Sequence, residues 1–253
     1  LRIVDNFYQT SAYFPMPTVC ISTMNEDNTV NIGSYSLCFP YYIAGKDYYA
    51  MLLECRNNSN TCQNILRTKQ CALNFIYDDK KLFKEAVRLG FPQPSADKMP
   101  SKVFELEKGL AEGDDRPPVI KQCFQVFECT WDDSLENGGK YSAGEMDGYE
   151  PPYNDFNGIT SKFGAHFILK IDKILMKSKE YNAIVNGVKA KDFPHAPVDY
   201  GYRDSTNFWC SRFSKPYAEG IASPKELDLS SLRFAADRID PNIHFTDEAL
   251  TTF

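Results

Sequence analysis

Val19-Cys20-Ile21-Ser22-Thr23-Met24, followed by Asn25-Glu26-Asp27-Asn28 and then Thr29-Val30-Asn31-Ile32, decides the fold class. Two β-rich runs flank a cluster of turn formers, which is the pattern of an antiparallel hairpin. Downstream, Tyr48-Tyr49-Ala50-Met51-Leu52-Leu53 is apolar at every step, so it reads as a strand buried on both faces and central in its sheet. Cys71-Ala72-Leu73-Asn74-Phe75-Ile76-Tyr77 is a further strand, residues 119–131 a long one, and residues 163–177 the last long one. Residues 206–213 read as a strand pairing at an edge.

Helices are few. Ser59 or Asn60 can cap a short one with a body over residues 61–67 and Ile65 and Leu66 on its buried side. Asp78 and Asp79 open an amphipathic helix whose Leu82, Phe83, Ala86, Val87 and Leu89 recur at helical spacing, with Gly90 as its C-cap. The stretch 91–118 is rich in Pro, Gly and charge, with at most one helix near 102–110, and the tail after Pro216 has one helical stretch near 225–237. Residues 132–162 form a long loop, crowded with Gly, Asn and Tyr around Pro151-Pro152; loops of this length are usually lids, binding arms or disordered segments. No βαβ alternation occurs, so the expectation is an antiparallel barrel with appended helices. No linker separates two hydrophobic sets, so a single domain is expected over residues 1–253.

The chain has 253 residues, 43% hydrophobic and 25% charged, an ordinary globular composition, with 14% aromatics. The 28 Lys and Arg against 34 Asp and Glu give a net charge of −6, which argues against nucleic acid and anionic membranes as partners. No run approaches the about 18 consecutive apolar residues of a membrane span. Residues 1–10 lack the pattern of a signal peptide, although a start at Leu leaves a removed leader open. The eight cysteines, at 20, 38, 55, 62, 71, 123, 129 and 210, contain no C-x-x-C pair. Most sit in apolar runs, where a free thiol behaves as a small hydrophobe, so we expect a reduced chain in the cytoplasm and read the Asn57-Asn58-Ser59 sequon as a chance match.

Motifs of nucleotide-binding loops, serine hydrolases and zinc proteases are missing, and His166, His195 and His244 are too scattered to suggest a metal site. The Asp and Glu clusters lie in loops, where solvation is their ordinary role. What remains is an anion site. Glu54-Cys55-Arg56-Asn57-Asn58-Ser59-Asn60-Thr61-Cys62-Gln63-Asn64-Ile65 runs from a strand end into a helix start, where free N–H groups, the Ser59 and Thr61 hydroxyls and the Arg56 guanidinium suit a phosphate. A capped helix start with polar flanks is also a common structural feature. Upstream, Val30-Asn31-Ile32-Gly33-Ser34-Tyr35-Ser36-Leu37-Cys38-Phe39-Pro40 can offer backbone groups to the edge of a flat heterocycle, with Gly33 permitting close approach.

These residues resemble the flavin reductase-like, FMN-binding split-barrel proteins, well over residues 13–77 and loosely over 119–215. Phe14-Pro15-Met16-Pro17-Thr18-Val19-Cys20-Ile21-Ser22-Thr23 is similar to that family's opening strand. The stretch from Asn31 to Ser36 resembles its N-[IL]-x-P-[FY]-S segment, with Ser34 in place of the common Pro. Thr61, Asn64 and Ile65 resemble the D-T-x-x-N-[IL] start of its phosphate-binding helix, and Thr68-Lys69-Gln70-Cys71-Ala72-Leu73-Asn74 its T-G-x-[FA]-[VA]-[VL]-N. Gly164-Ala165-His166 is similar to the G-D-H strand of many of its reductases, with Ala165 at the acidic position, and Ser59-Asn60 stand where Lys-Asp often precedes the Thr.

The resemblance implies a mainly β, antiparallel split barrel with a few appended helices, a core over about 13–215 and a C-terminal extension, 216–253. It implies FMN as cofactor, held by Asn31, Ser34, Tyr35, Ser36, Leu37, Arg56, Ser59, Asn60, Thr61 and Asn64, and NAD(P)H as electron donor. The activity it implies is hydride transfer from NAD(P)H to a flavin, with His166 as the one catalytic candidate and no metal. The loop aromatics Tyr141, Tyr149, Tyr153 and Phe156 would cover the flavin or a neighbouring subunit of a homodimer, or pack within their own loop. A second class stays open: a non-catalytic FMN-binding protein serving as flavin store, sensor or electron carrier. A third is a barrel that has lost flavin for another ligand.

Overall fold

The computed structural model describes residues 16–42, 48–90, 93–114, 116–134, 157–159, 164–186, 196–203 and 206–210. Its strands, in chain order, begin with β1 (Met16–Pro17), β2 (Val19–Met24), β3 (Val30–Tyr35), β4 (Cys38–Tyr42) and β5 (Tyr49–Arg56). Helix α1 (Asn60–Thr68), β6 (Gln70–Phe75), α2 (Lys80–Gly90) and α3 (Ser95–Lys98) follow. Then come β7 (Leu106–Glu107), β8 (Val119–Ile120), β9 (Gln125–Trp131), β10 (Gly158–Ile159) and β11 (Gly164–Met176). Helix α4 (Ser178–Val185), β12 (Val198–Arg203) and β13 (Thr206–Cys210) complete the described chain.

The main sheet has the order β3-β2-β6-β9-β11-β5-β4, with β10 added on β11. Every pairing is antiparallel, and the sheet curls into a half-barrel. The opening hairpin forms as the sequence predicts, with Cys20 opposite Ser34 and Thr23 opposite Asn31. Because strand side chains alternate, each strand serves two cores. Ile21, Leu53, Cys71, Leu73, Phe167 and Leu169 line one face of the sheet, which α1 covers with Cys62 and Ile65. Cys20, Ile32, Ala72 and Val126 face the other side, under α2 and the segment carrying Phe104, Val119 and Ile120.

Several expectations change. The predicted strand 119–131 is two strands, β8 and β9, split by a turn at residues 121–124. In 102–110, where the sequence allows at most one helix, β7 pairs with β8, and the short helix α3 lies earlier. At the end of this stretch Glu128 Oε2 takes the N–H groups of Leu110 at 2.8 Å and Ala111 at 2.9 Å, holding that backbone against the sheet. Gly90 ends α2 as its last helical residue and does not take the positive φ of a glycine C-cap. Strand β4 was not foreseen; among the described residues it is an edge strand, where Pro40 is tolerated because no second neighbour needs its missing N–H. Helix α4 was also not foreseen. At the end of α1 the left-handed C-cap conformation, φ 60°, falls on Lys69, the position of the Gly in the T-G-x motif. The loop aromatics Tyr141, Tyr149, Tyr153 and Phe156, His195, His244 and the extension 216–253 lie outside the described residues. Among the described residues no helix is long and apolar enough to cross a membrane.

Candidate functional site

Strand β5 ends with its side chains still alternating: Cys55 is buried inward and Arg56 is exposed. The turn that follows closes with the Ser59 N–H on the Arg56 carbonyl at 3.0 Å. Ser59 then caps α1 as the sequence predicts, in an extended conformation, and its Oγ accepts the Cys62 N–H at 3.1 Å. The first N–H groups of any helix have no intrahelical partner. Among the described residues nothing takes those of Asn60 and Thr61, and the first turn has no acidic residue. This end of α1 therefore carries the uncompensated positive pole that attracts an anion.

The Thr61 and Asn64 side chains point elsewhere. Thr61 is 1% exposed, and its Oγ1 accepts from Asn31 Nδ2 at 3.2 Å. Asn31 Nδ2 also reaches Thr23 Oγ1 at 3.3 Å, while its Oδ1 accepts from Asn60 at 3.5 Å and from Ser95 at 3.3 Å. Asn64 donates to Thr23 Oγ1 at 3.1 Å and to Asn25 Oδ1 at 2.9 Å, and Asn25 donates to Ser95 at 3.0 Å. The D-T-x-x-N-like residues thus tie α1 to the opening hairpin and to α3. Thr61→Val removes one acceptor from this buried network and should cost about 1–2 kcal/mol of stability. A thermal melt checks it, and an unchanged Tm would remove Thr61 from the network.

Gly33 makes room for the chain itself. A Cβ there would stand 2.8 Å from Tyr35 Cε2 and 3.0 Å from Thr61 Oγ1. Tyr35, on the same strand face two residues on, folds its ring back across Gly33, so this close approach is filled by the phenol rather than left for a heterocycle. Its hydroxyl lies against the Ser59 and Thr61 hydroxyls, and burial pushes its pKa up, which keeps it a neutral phenol.

The structure does not bring every predicted residue to one place. Asn31, Tyr35, Ser59, Asn60, Thr61 and Asn64 meet around the start of α1. Ser34 faces the opposite side of the sheet, where its Oγ donates to the Ala86 carbonyl of α2 at 2.6 Å and lies 3.6 Å from Cys20 Sγ. Ser36 is buried, and Leu37 contributes its carbonyl to the Glu54 N–H at 2.9 Å, which lays the 35–37 bend beside the end of β5. Arg56 and His166 share the outer face of the β5–β11 ladder, with Arg56 opposite Gly164 and Glu54 opposite His166. His166 Nε2 stands 3.8 Å from Glu54 Oε2. Ala165, at the acidic position of the G-D-H motif, is fully buried in the core, so the carboxylate near His166 comes from the neighbouring strand. Sequence reasoning missed Thr23, Asn25 and Ser95; Asn25 read only as a turn residue.

Beside the network, an open cleft of about 760 Å³ is lined by Asn25, Asp27, Asn60, Gln63, Arg67 and Ser95, among others. Among the described residues no three His, Cys, Asp or Glu converge as a metal site would need. The start of α1 offers two N–H groups that nothing among the described residues takes and no acid in its first turn, which suit a phosphate monoester, while Arg56 lies exposed at the end of β5 on the outer face of the ladder.

No family model and no curated protein matches the sequence. Solved structures do resemble the chain. 2-Nitrobenzoate 2-nitroreductase NbaA of Pseudomonas fluorescens superimposes with a TM-score of 0.56 at 15% identity, over 81% of this chain and 85% of its own. Nitrilotriacetate monooxygenase component B of Bacillus cereus gives 0.55 at 9% identity, over 81% and 90%. Flavoredoxin of Methanosarcina acetivorans gives 0.54 at 15% identity, over 83% and 90%. The fold of this chain is the antiparallel split barrel of flavin reductase-like proteins.

Proposed function

We propose that this chain is a flavin-linked oxidoreductase that binds FMN at the start of α1 and passes hydride from NAD(P)H to a flavin. A fold by itself does not determine a reaction. The observation that carries the reading is the uncompensated N-terminus of α1, capped by Ser59 and entered three residues after Arg56, on a split barrel whose structural neighbours include flavoredoxin and a nitroreductase. When bound, the flavin supplies the hydride chemistry. The chain's own part is to bind and orient. The Asn60 and Thr61 N–H groups, the Ser59 hydroxyl and Arg56 would take the phosphate, and the 35–37 bend would border the ring system. His166, partnered by Glu54 across the ladder, would orient the nicotinamide from the outer face of the sheet. We carry the homodimer and the cytoplasm as parts of the same proposal.

A non-catalytic flavin carrier is the second reading, favoured by the burial of Ala165 where reductases of this kind have an acid. One set of measurements separates the two. The purified chain should be yellow, absorbing near about 450 nm, and should oxidise NADH or NADPH when FMN or FAD is added. Arg56→Ala should weaken FMN binding about tenfold, as loss of one charge-assisted hydrogen bond does. Flavin binding without nicotinamide oxidation selects the carrier. Absence of flavin binding, or an FMN Kd indifferent to Arg56→Ala, overturns the site.

A further inference from the structure

Helix α1 carries a polar stripe. Asn60, Gln63, Asn64 and Arg67 stand at i, i+3, i+4 and i+7, which is one face of a helix, and all four line the cleft of about 760 Å³. The β2–β3 turn and the start of α3 complete it, with Asp27 and Ser95 among their residues. Inner amides fix its shape. Asn25 accepts from Asn64 at 2.9 Å and donates to Thr29 at 2.9 Å and to Ser95 at 3.0 Å, which joins the three elements. The volume lies within the about 300–1,000 Å³ of small-molecule sites, yet most of the lining residues are polar where such sites are mostly apolar.

Three groups in the cleft stay open to a ligand. Gln63 is exposed; its Nε2 donates to the Asn57 carbonyl at 2.7 Å, and among the described residues nothing donates to its Oε1. Arg67, also exposed, spends one of its five N–H donors on the Met24 carbonyl, and the others have no partner among the described residues. Asp27 receives the Thr29 N–H at 3.0 Å and the Thr29 hydroxyl at 2.5 Å on Oδ1, which leaves Oδ2 unused and holds the carboxyl below its ordinary pKa. With Glu26 beside it, this carboxylate disfavours a free anion inside the cleft. The set instead matches the parts of a nucleoside. A carboxamide pairs edge to edge with a purine base, a guanidinium stacks on its face, and a carboxylate accepts from the ribose diol.

We propose that this cleft takes the adenosine half of an adenine dinucleotide whose phosphates lie on the start of α1. The inference rests on the phosphate site proposed above. Asn60 belongs to both places: its N–H is open at the helix start, and its side chain lines the cleft. A second phosphate therefore leads from one into the other. FMN ends at its single phosphate and makes no use of the cleft. Arg67 lies seven residues further, about 10 Å along the axis, so changing it leaves the FMN contacts alone. Two dinucleotides have this half, FAD and NAD(P)H, and the experiment tells them apart.

The test is calorimetric titration of the full chain and of the Gln63→Ala/Arg67→Ala variant with ADP, FMN, FAD and NAD⁺. Both substitutions are at exposed positions, and an unchanged thermal melt shows that the variant folds. ADP should bind the wild type, and the variant should weaken ADP at least about tenfold while its FMN Kd stays unchanged. FAD binding at least about tenfold tighter than FMN, with that gain lost in the variant, assigns the cleft to the flavin. FAD no tighter than FMN, with NAD⁺ binding weakened in the variant, assigns it to the nicotinamide dinucleotide. No ADP binding, or ADP, FAD and NAD⁺ affinities all indifferent to the two substitutions, overturns the proposal. FMN binding without ADP binding sinks the cleft and leaves the phosphate site standing. ADP binding that is sensitive to the variant, without FMN binding, sinks the flavin reading and leaves the cleft. Failure of both ligands overturns both.

Discussion

Asn74→Ala is expected to destabilise the chain by about 3 kcal/mol or more, a large share of the stability of a domain this size. Asn74 has no exposed surface and uses both ends of its amide. Nδ2 donates to the Cys20 carbonyl at 3.0 Å, the Ala72 carbonyl at 2.9 Å and Ser22 Oγ at 3.2 Å, while Oδ1 accepts the Ile120 N–H at 2.8 Å. One side chain therefore joins β2, β6 and β8. Alanine leaves the Ile120 N–H and the Cys20 carbonyl short of a partner in a region closed to water, and each such group costs about 1–3 kcal/mol. Urea unfolding should show a lower midpoint with an unchanged slope. A loss below about 1 kcal/mol would mean that a water had entered and replaced the amide.

Glu128→Ala should cost about 2–4 kcal/mol and release the backbone around residue 110. The carboxylate is 1% exposed on β9, and one of its oxygens holds two backbone N–H groups of the covering segment. Its other oxygen lies so close to Gly109 that a Cβ there would stand 1.9 Å away. Gly109→Ala should therefore produce a comparable loss by steric displacement of the carboxylate rather than by removing it. The two changes act on one contact, so the double variant should lose less than the sum of the single ones. Amide exchange at Leu110 and Ala111 reads the release directly; protection unchanged by Glu128→Ala would contradict the anchoring role.

Both predictions turn on polar residues whose importance is invisible in a local reading. Asn74 read as one more position in an apolar strand, and Glu128 as an acid within a long one. Strand β4 holds Pro40, which a strand tolerates only at an edge, and that edge position is set by its pairing with β5 rather than by local pattern. The anchoring of residues 110 and 111 by Glu128 joins positions 17 and 18 apart in sequence and leaves no local signal. Ser34 and Tyr35 are a different matter. Alternation along a strand places neighbours on opposite faces, so their separation, Ser34 toward α2 and Tyr35 toward α1, was available from the hairpin register alone.

Local pattern sufficed for what depends on neighbours along the chain. The opening hairpin, the Ser59 cap, the amphipathic face of α2 and the antiparallel, strand-dominated class all follow from side-chain period and turn chemistry within about ten residues. Folding alone decided how those pieces converge. Asn64 meets Asn25 across 39 positions and Asn25 meets Ser95 across 70, which turns a phosphate-like helix motif partly into structural mortar. The same convergence sets Glu54 opposite His166. Period and propensity are short-range quantities, whereas hydrogen-bond satisfaction in a closed interior is settled only when distant strands have chosen their partners.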